Sequence, residues 1–234
     1  MTNKYIEQLK EFRLKRELSQ AQVAEAIGVS RPTYTAIEVG TKKNLDLDEA
    51  QKLANFFGIS LNELISGTIE NVDKYKDMIL TYLRMNLSKK HDGKVTKTKL
   101  AKLLYLADFA WYYDHLDSMS GMQYKKFAYG PVPDTFFRVF EELEVEGKII
   151  VDRRKEGDKD YFLITESDSN KNQKVTSISK EEQTLMENIA EKWREKNTDD
   201  IVNFTHNQLP YSICRDNEVI PYELITQEDA DKVY

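Results

Sequence analysis

The run SQAQVAEAIGVSRPTYTAIEVG, residues 19–40, decides how the first part of the chain folds. Ser19 and Gln22 stand three apart, the spacing at which the two side chains satisfy free backbone N–H groups at a helix start. Val23, Ala24 and Ile27 follow at helical intervals. Gly28 can take the left-handed conformation that closes a helix. Ser30 opens a second helix, where Pro32 falls in the first turn and its missing N–H is harmless. Gly40 ends it. Two short helices joined through Gly28 and Val29 form the helix-turn-helix pattern.

Three more helices surround this pair. Tyr5, Ile6, Leu9, Phe12 and Leu14 make an approximate stripe over residues 3–17. Asp46 and Glu49 form a second capping box before LDEAQKLANFFG, and Ser60 and Glu63 a third before NELI. Through residue 66 there are nine basic and nine acidic residues, so the whole net charge of −6 lies beyond it. An acidic chain is a poor nonspecific nucleic-acid binder. DNA contact is therefore expected only from a local face of this N-terminal unit.

Residues 5–66 resemble the bacteriophage-repressor-like (Xre) helix-turn-helix family, with caps, core positions and the small Ala24 at the helix crossing in register. Tyr34 and Ile37 face the core, which leaves Arg31, Pro32, Thr33, Thr35 and Ala36 for the groove. Arg31 can reach guanine O6 and N7, and the threonines can reach phosphates or bases. The resemblance implies that Gln20 holds a backbone phosphate. Lys42 and Lys43 follow the recognition helix as a candidate phosphate clamp. One such unit reads DNA weakly, so a homodimer is expected on half-sites about 34 Å apart.

The chain as a whole is 40% hydrophobic and 32% charged, enough apolar material for folded cores. Its N-terminus has no apolar run suited to secretion, and no stretch approaches the roughly 18 apolar residues of a membrane span. The single cysteine, Cys214, cannot form an internal disulfide. These features point to a cytoplasmic protein. The polar segment 66–73 reads as a connection, giving domains at 1–66 and 74–234 with a linker at 67–73. The expected fold is mainly α: a five-helix DNA-binding domain, then an α-helical domain with a small β-hairpin.

In the second domain DKYKDMILTYLRMNL carries Tyr75, Ile79, Tyr82 and Leu83 on one side. Thr96 or Thr98 caps KLAKLLYLADFAWYYDHL, which is apolar nearly all round and so reads as a central buried helix. Asp108 lies in its middle. A buried carboxylate must be paired or hydrogen-bonded, and a tyrosine hydroxyl or a lysine is the expected donor. Residues 124–133, YKKFAYGPVP, read as an extended arm, because Pro131 and Pro133 keep the preceding residues out of the helical region. The arm supplies either core or contact surface. Asp134 is expected to cap a helix with Phe136, Phe140 and Leu143 on its apolar stripe. KIIVDRRKEGDKDYFLITE then reads as a β-hairpin; its turn is a weak candidate for a basic wing on DNA, since acids are mixed in. Residues 167–179 read as the most flexible loop. Ser179 and Glu182 form a fourth capping box, ahead of a helix bearing Leu185, Ile189 and Trp193. Thr198 opens a short helix, and the tail keeps Ile213, Val219, Ile220, Tyr222 and Leu224 for packing.

This half, from about 70 to 225, resembles the Panacea domain, also called SocA-like or GepA-like. The resemblance rests on Lys102-Leu103-Leu104-Tyr105, Ala107-Asp108, Gly121 and Tyr129-Gly130-Pro131-Val132. It implies an antitoxin of a toxin–antitoxin module, which neutralises a toxin encoded nearby by direct binding. The attached helix-turn-helix would bind operator DNA and repress the operon. A basic toxin surface would be drawn to the acidic domain. The candidate toxin contacts are Lys125, Lys126, Tyr129 and Asp108. The alternatives are a free-standing regulator whose second domain senses a ligand or dimerises, and a proteolytic adaptor. No enzyme is expected: His91, His115 and His206 have no partner at helical spacing, and there is no phosphate loop, dinucleotide fingerprint, cofactor motif or metal-ligand pattern.

Overall fold

The computed structural model describes residues 4–42, 45–59, 61–66, 69–88, 91, 93–157 and 159–234. Lys43, Ser60, Asp158 and the start of the expected linker lie outside the described residues. The chain is mainly α and divides into two compact units, Met1–Glu70 and Asn71–Tyr234.

The first unit contains α1 (Lys4–Lys15), α2 (Gln20–Ile27), α3 (Arg31–Glu38), α4 (Leu47–Phe57) and α5 (Leu61–Ser66). Its core gathers Leu9, Val23, Ala24, Ile27, Tyr34, Ile37, Leu53, Phe57 and Leu64. Local chemistry sets the boundaries. Ser19 and Gln22 form a complete capping box, as do Asp46 and Glu49, and the Ser30 side chain accepts from Thr33 N. Gly28 closes α2 at φ 73°, in the left-handed region that glycine tolerates. Arg16 donates to the carbonyls of Phe56 and Phe57 at 2.8 and 2.9 Å, placing a cation at the negative end of α4.

The second unit is built around one helix. It contains α6 (Val72–Leu83), β1 (Val95–Thr96), α7 (Lys97–His115), β2 (Tyr124–Phe127), β3 (Gly130–Pro133), α8 (Phe136–Val145), β4 (Ile149–Glu156), β5 (Lys159–Glu166), α9 (Lys180–Arg194), α10 (Thr198–Asn207) and α11 (Leu209–Ile213). Two short 3-10 helices, Tyr222–Gln227 and Ala230–Lys232, end the chain. Helix α7 is buried from Lys99 through Ala110, as its all-round apolar sequence requires, and Thr96 caps it. Strands β1, β5 and β4 form an antiparallel sheet in that order.

Three expectations change. YKKFAYGPVP is a tight β-hairpin: β2 and β3 pair antiparallel from Tyr124↔Pro133 to Phe127↔Gly130, with Ala128 and Tyr129 at the turn. The prolines are accommodated because they fall on the strand whose other edge carries no further strand. The free side of β2 is covered by the tail, through Lys126 N to Glu218 O (3.0 Å), Asn217 N to Lys126 O (2.8 Å) and Ile220 N to Tyr124 O (2.8 Å). Asp134 does not cap α8; its carboxylate pairs with Lys125, and the helix starts after Thr135. Residues 167–179 are tied down: Arg84 chelates Glu166 and also donates to the carbonyls of Asn170 and Gln173, while Ser177 bonds Asp77. Helix α10 opens at Thr198 as expected, with Asn197 as its cap in a box with Asp200.

Candidate functional site

In the first unit the recognition helix α3 buries Tyr34 and Ile37 and turns Arg31 and Pro32 outward; Thr33, Thr35 and Ala36 are half-buried. Arg31 makes no hydrogen bond or ion pair among the described residues, so its guanidinium is available to a ligand. Thr33 is partly engaged, its hydroxyl 2.7 Å from that of Ser30. A polar chain fixes α3 against α1 and α2. Arg13 donates from Nε to Glu38 at 2.8 Å and from Nη1 to the carbonyl of Leu18 at 3.0 Å. The other Glu38 oxygen accepts from Gln20 Nε2 at 2.5 Å, and Gln20 Oε1 accepts from the Thr35 hydroxyl at 2.9 Å. Glu38 is 4% exposed, so this charge is held by full pairing. Gln20 and Thr35 thus brace the helix pair; Lys42 is ion-paired with Glu49, which begins α4. Nothing local in the sequence marks Arg13 and Glu38 as partners, since they stand far apart in the chain.

In the second unit Asp108 is fully buried. It accepts from Ser120 N (2.6 Å), Ser120 Oγ (2.5 Å) and Tyr124 Oη (2.9 Å). Burial raises its carboxyl to about 6, against the opposing pull of those donors. Asp108 is therefore an internal pin that ties α7 to the segment before β2. Its place among the candidate toxin contacts is corrected, because it has no surface to offer. Tyr124 and Tyr222 pack around Phe109, with the Tyr222 hydroxyl donating to Met122 O at 2.7 Å.

The β2–β3 turn presents aromatic surface. Tyr129 and Phe137 are each 48% exposed. The Tyr129 ring stacks on Phe127 with centroids 5.3 Å apart and meets Phe137 edge-on at 6.3 Å. Lys97 lies over the Phe137 ring at 4.9 Å. Lys125, paired with Asp134, is half-buried beside them. Lys126 instead braces the interior: its ammonium donates to Cys214 O at 2.9 Å and sits over the Tyr211 ring.

Beneath the turn lies a cluster that spacing along the chain does not reveal. Lys102 is 1% exposed, and its ammonium donates to Tyr129 O at 2.8 Å. Burial alone pushes its amine down to about 7. Gly130, at φ 104°, closes over it: a Cβ there would overlap the Lys102 ammonium and stand 2.7 Å from His206 Nε2. His206 stacks on Tyr211 with centroids 4.4 Å apart, and its buried Nε2 has no hydrogen-bond partner. Among the described residues no group of three or more His, Cys, Asp or Glu is arranged to hold a metal, and no helix is long and apolar enough to cross a membrane.

Two family models match the chain. The helix-turn-helix family matches residues 9–64, and the antitoxin SocA-like, Panacea domain matches residues 100–210. The chain is similar to the cryptic phage CTXphi transcriptional repressor RstR of Vibrio cholerae, 39% identical over 66 residues, which are 28% of this chain and 59% of that one. It is also similar to two Bacillus subtilis proteins. One is the uncharacterized HTH-type transcriptional regulator YqaE, 33% identical over 63 residues, 27% of this chain and 53% of the relative. The other is the SPbeta prophage-derived uncharacterized HTH-type transcriptional regulator YonR, 32% identical over 99 residues, 42% of this chain and 88% of the relative. The match thus spans little more than half of RstR and YqaE. No solved structure matches.

Proposed function

Because the chain belongs to the helix-turn-helix transcriptional regulators and carries an antitoxin SocA-like, Panacea domain, we propose that it is the antitoxin of a two-gene module. The second unit binds a toxin encoded beside it and blocks it directly. The first unit binds the operator as a homodimer and represses the operon. Both activities belong to the cytoplasm. The observation that carries this reading is the presence of both families on one chain, each on its own compact unit.

Arg31, Pro32, Thr33 and Thr35 are the groove-facing residues in this reading, with Arg31 the free donor. Gln20, Lys42 and Lys43, the last outside the described residues, are the candidate phosphate contacts in this reading. The toxin docks on the β2–β3 turn, where half-exposed Tyr129 and Phe137 supply rigid aromatic anchors of the kind that dominate protein interfaces. Lys125 flanks them, while Lys126 supports the turn from within. The test is copurification of the tagged full chain with the product of the adjacent gene. A complex that survives Arg31→Ala is expected; no complex with either form rejects direct binding.

One observation favours a second reading, a regulator that senses a small molecule: a cleft of about 940 Å³ lined by Thr96, Thr98, Lys99, Tyr161, Arg194 and Thr198, among others. That reading predicts operator release by a metabolite in the absence of any partner protein.

A further inference from the structure

Three basic groups converge under the β2–β3 turn without an acid to balance them. Lys102 reaches it from α7, His206 from α10 and Lys126 from β2. The remaining groups facing the pair are the Tyr129 carbonyl from the turn and the Tyr211 ring from α11. No carboxylate is among the groups that displace the titration of either Lys102 or His206. The Lys102 ammonium has three N–H bonds and one acceptor, Tyr129 O. Across Gly130, the buried Nε2 of His206 has no hydrogen-bond partner, and the Tyr129 backbone is the one neighbouring group that favours a proton on the ring. The missing Cβ of Gly130 is what lets both nitrogens come this close.

We propose that Lys102 and His206 form a proton-linked latch on the turn between β2 and β3. In the closed turn the first positive charge to form as pH falls is that of Lys102, whose Nζ donates to Tyr129 O. A second proton, on His206 Nε2, would place two cations on either side of Gly130 with no carboxylate to balance them. The turn relieves this by releasing Tyr129 O and letting the buried Nε2 reach solvent. The latch therefore governs how firmly the Tyr129 ring is presented, whatever docks on it.

The sign follows from linkage. His206 is displaced below its ordinary 6.5, first by burial and then by the charges of Lys102 and Lys126, against the opposing pull of a hydrogen bond to the Tyr129 backbone. A group that binds protons less well in the closed state weakens that state as pH falls through its open-state value. Closure is therefore full above 6.5 with respect to His206 and is lost progressively as pH falls below it. Lys102, displaced from 10.5 to about 7 by burial, acts in the same direction over a higher range: closure strengthens as pH rises from about 7 to 10.5. Neither group offsets the other.

The test is amide hydrogen exchange on the full chain at about pH 7.5 and about pH 5.5, corrected for intrinsic rates, comparing the segment 126–133 with α9 in the same sample. The latch predicts that protection of the turn falls roughly fivefold more than that of α9 at the lower pH, and that His206→Gln reduces this extra fall to the share that Lys102 supplies. Equal changes in the two segments, or an extra fall as large in His206→Gln as in the wild type, would overturn it. If that variant does not fold, the wild-type imidazole is titrated by NMR. A His206 midpoint below 6.5 with the Gly130 amide following the same curve is expected. A midpoint at or above 6.5, or a Gly130 amide that does not move, rejects the latch.

Discussion

Lys102 Nζ donates to the carbonyl of Tyr129 at 2.8 Å, joining the middle of the central helix to the tip of a hairpin 27 residues later. This bond brings Lys102-Leu103-Leu104-Tyr105 against Tyr129-Gly130-Pro131-Val132, two stretches that lie apart in the sequence. It also settles the structural role of YKKFAYGPVP. Tyr124 faces the core on Asp108, Lys126 braces the tail, and Tyr129 is carried outward on a turn locked from below.

Gly130 is the most constrained glycine of that contact. Gly130→Ala would force a side chain into the left-handed region and into Lys102 and His206 at once. Gly157→Ala, at φ 60° with open space around it, meets only the backbone term. The expected losses are about 1 kcal/mol for Gly157→Ala and clearly more, about 2–4 kcal/mol, for Gly130→Ala. Urea unfolding of both variants checks this, and equal losses would mean that the close approach carries no weight.

Asp108→Ala leaves Ser120 N, Ser120 Oγ and Tyr124 Oη without their acceptor in a fully buried site. A loss of about 3 kcal/mol or more is expected from calorimetry. The carboxyl titrates at about 6 in the folded chain and at 3.8 otherwise, so the folded state binds more protons between those values. Its contribution to stability must therefore rise as pH falls from about 6 to 3.8. Asp108→Asn should remove that component from the pH profile; a profile identical to wild type would refute the assignment.

Much of the architecture was legible because it is local. Ser19 with Gln22, Asp46 with Glu49 and Ser179 with Glu182 lie one helical turn apart, and each does form its capping box. The burial of Tyr34 and Ile37 follows from their spacing, and the need of Asp108 for a donor, a tyrosine hydroxyl or a lysine, follows from its apolar surroundings. Pairings across long chain separations were not legible. Arg13 with Glu38, Lys102 with Tyr129 and Gly130 with His206 meet only once helices have packed. The hairpin at 124–133 was hidden by its two prolines, which argue against a strand until the strand is known to lie at an edge. Asp134 misled as a cap because its carboxylate finds Lys125 first.

Glu38 offers a test of how α3 is aimed. Glu38→Ala leaves the Arg13 guanidinium and the Gln20 amide without their acceptor in a largely buried site. A loss of about 3–5 kcal/mol in the first unit is expected, with the transition of the second unit unmoved. Circular dichroism melts of the full chain separate the two. A loss under about 1 kcal/mol would show that α3 is fixed by Tyr34 and Ile37 alone.

Arg31 and Tyr129 should separate the two activities. Arg31→Ala removes an exposed, unpartnered side chain, so stability should hold while operator affinity falls by about 1–3 kcal/mol. Tyr129→Ala should weaken toxin binding by about 2 kcal/mol or more and leave operator binding unchanged. Fluorescence anisotropy on operator DNA and titration calorimetry with the toxin read the two effects. Loss of both activities in either variant would contradict a division of labour between the units.

Growth rescue tests the central claim most directly. The product of the adjacent gene is expressed alone, then with the full chain, then with Asn71–Tyr234 only. Arrest by the neighbour alone, relieved by the full chain and equally by Asn71–Tyr234, is the predicted result. A harmless neighbour, or arrest that the full chain does not relieve, would contradict it.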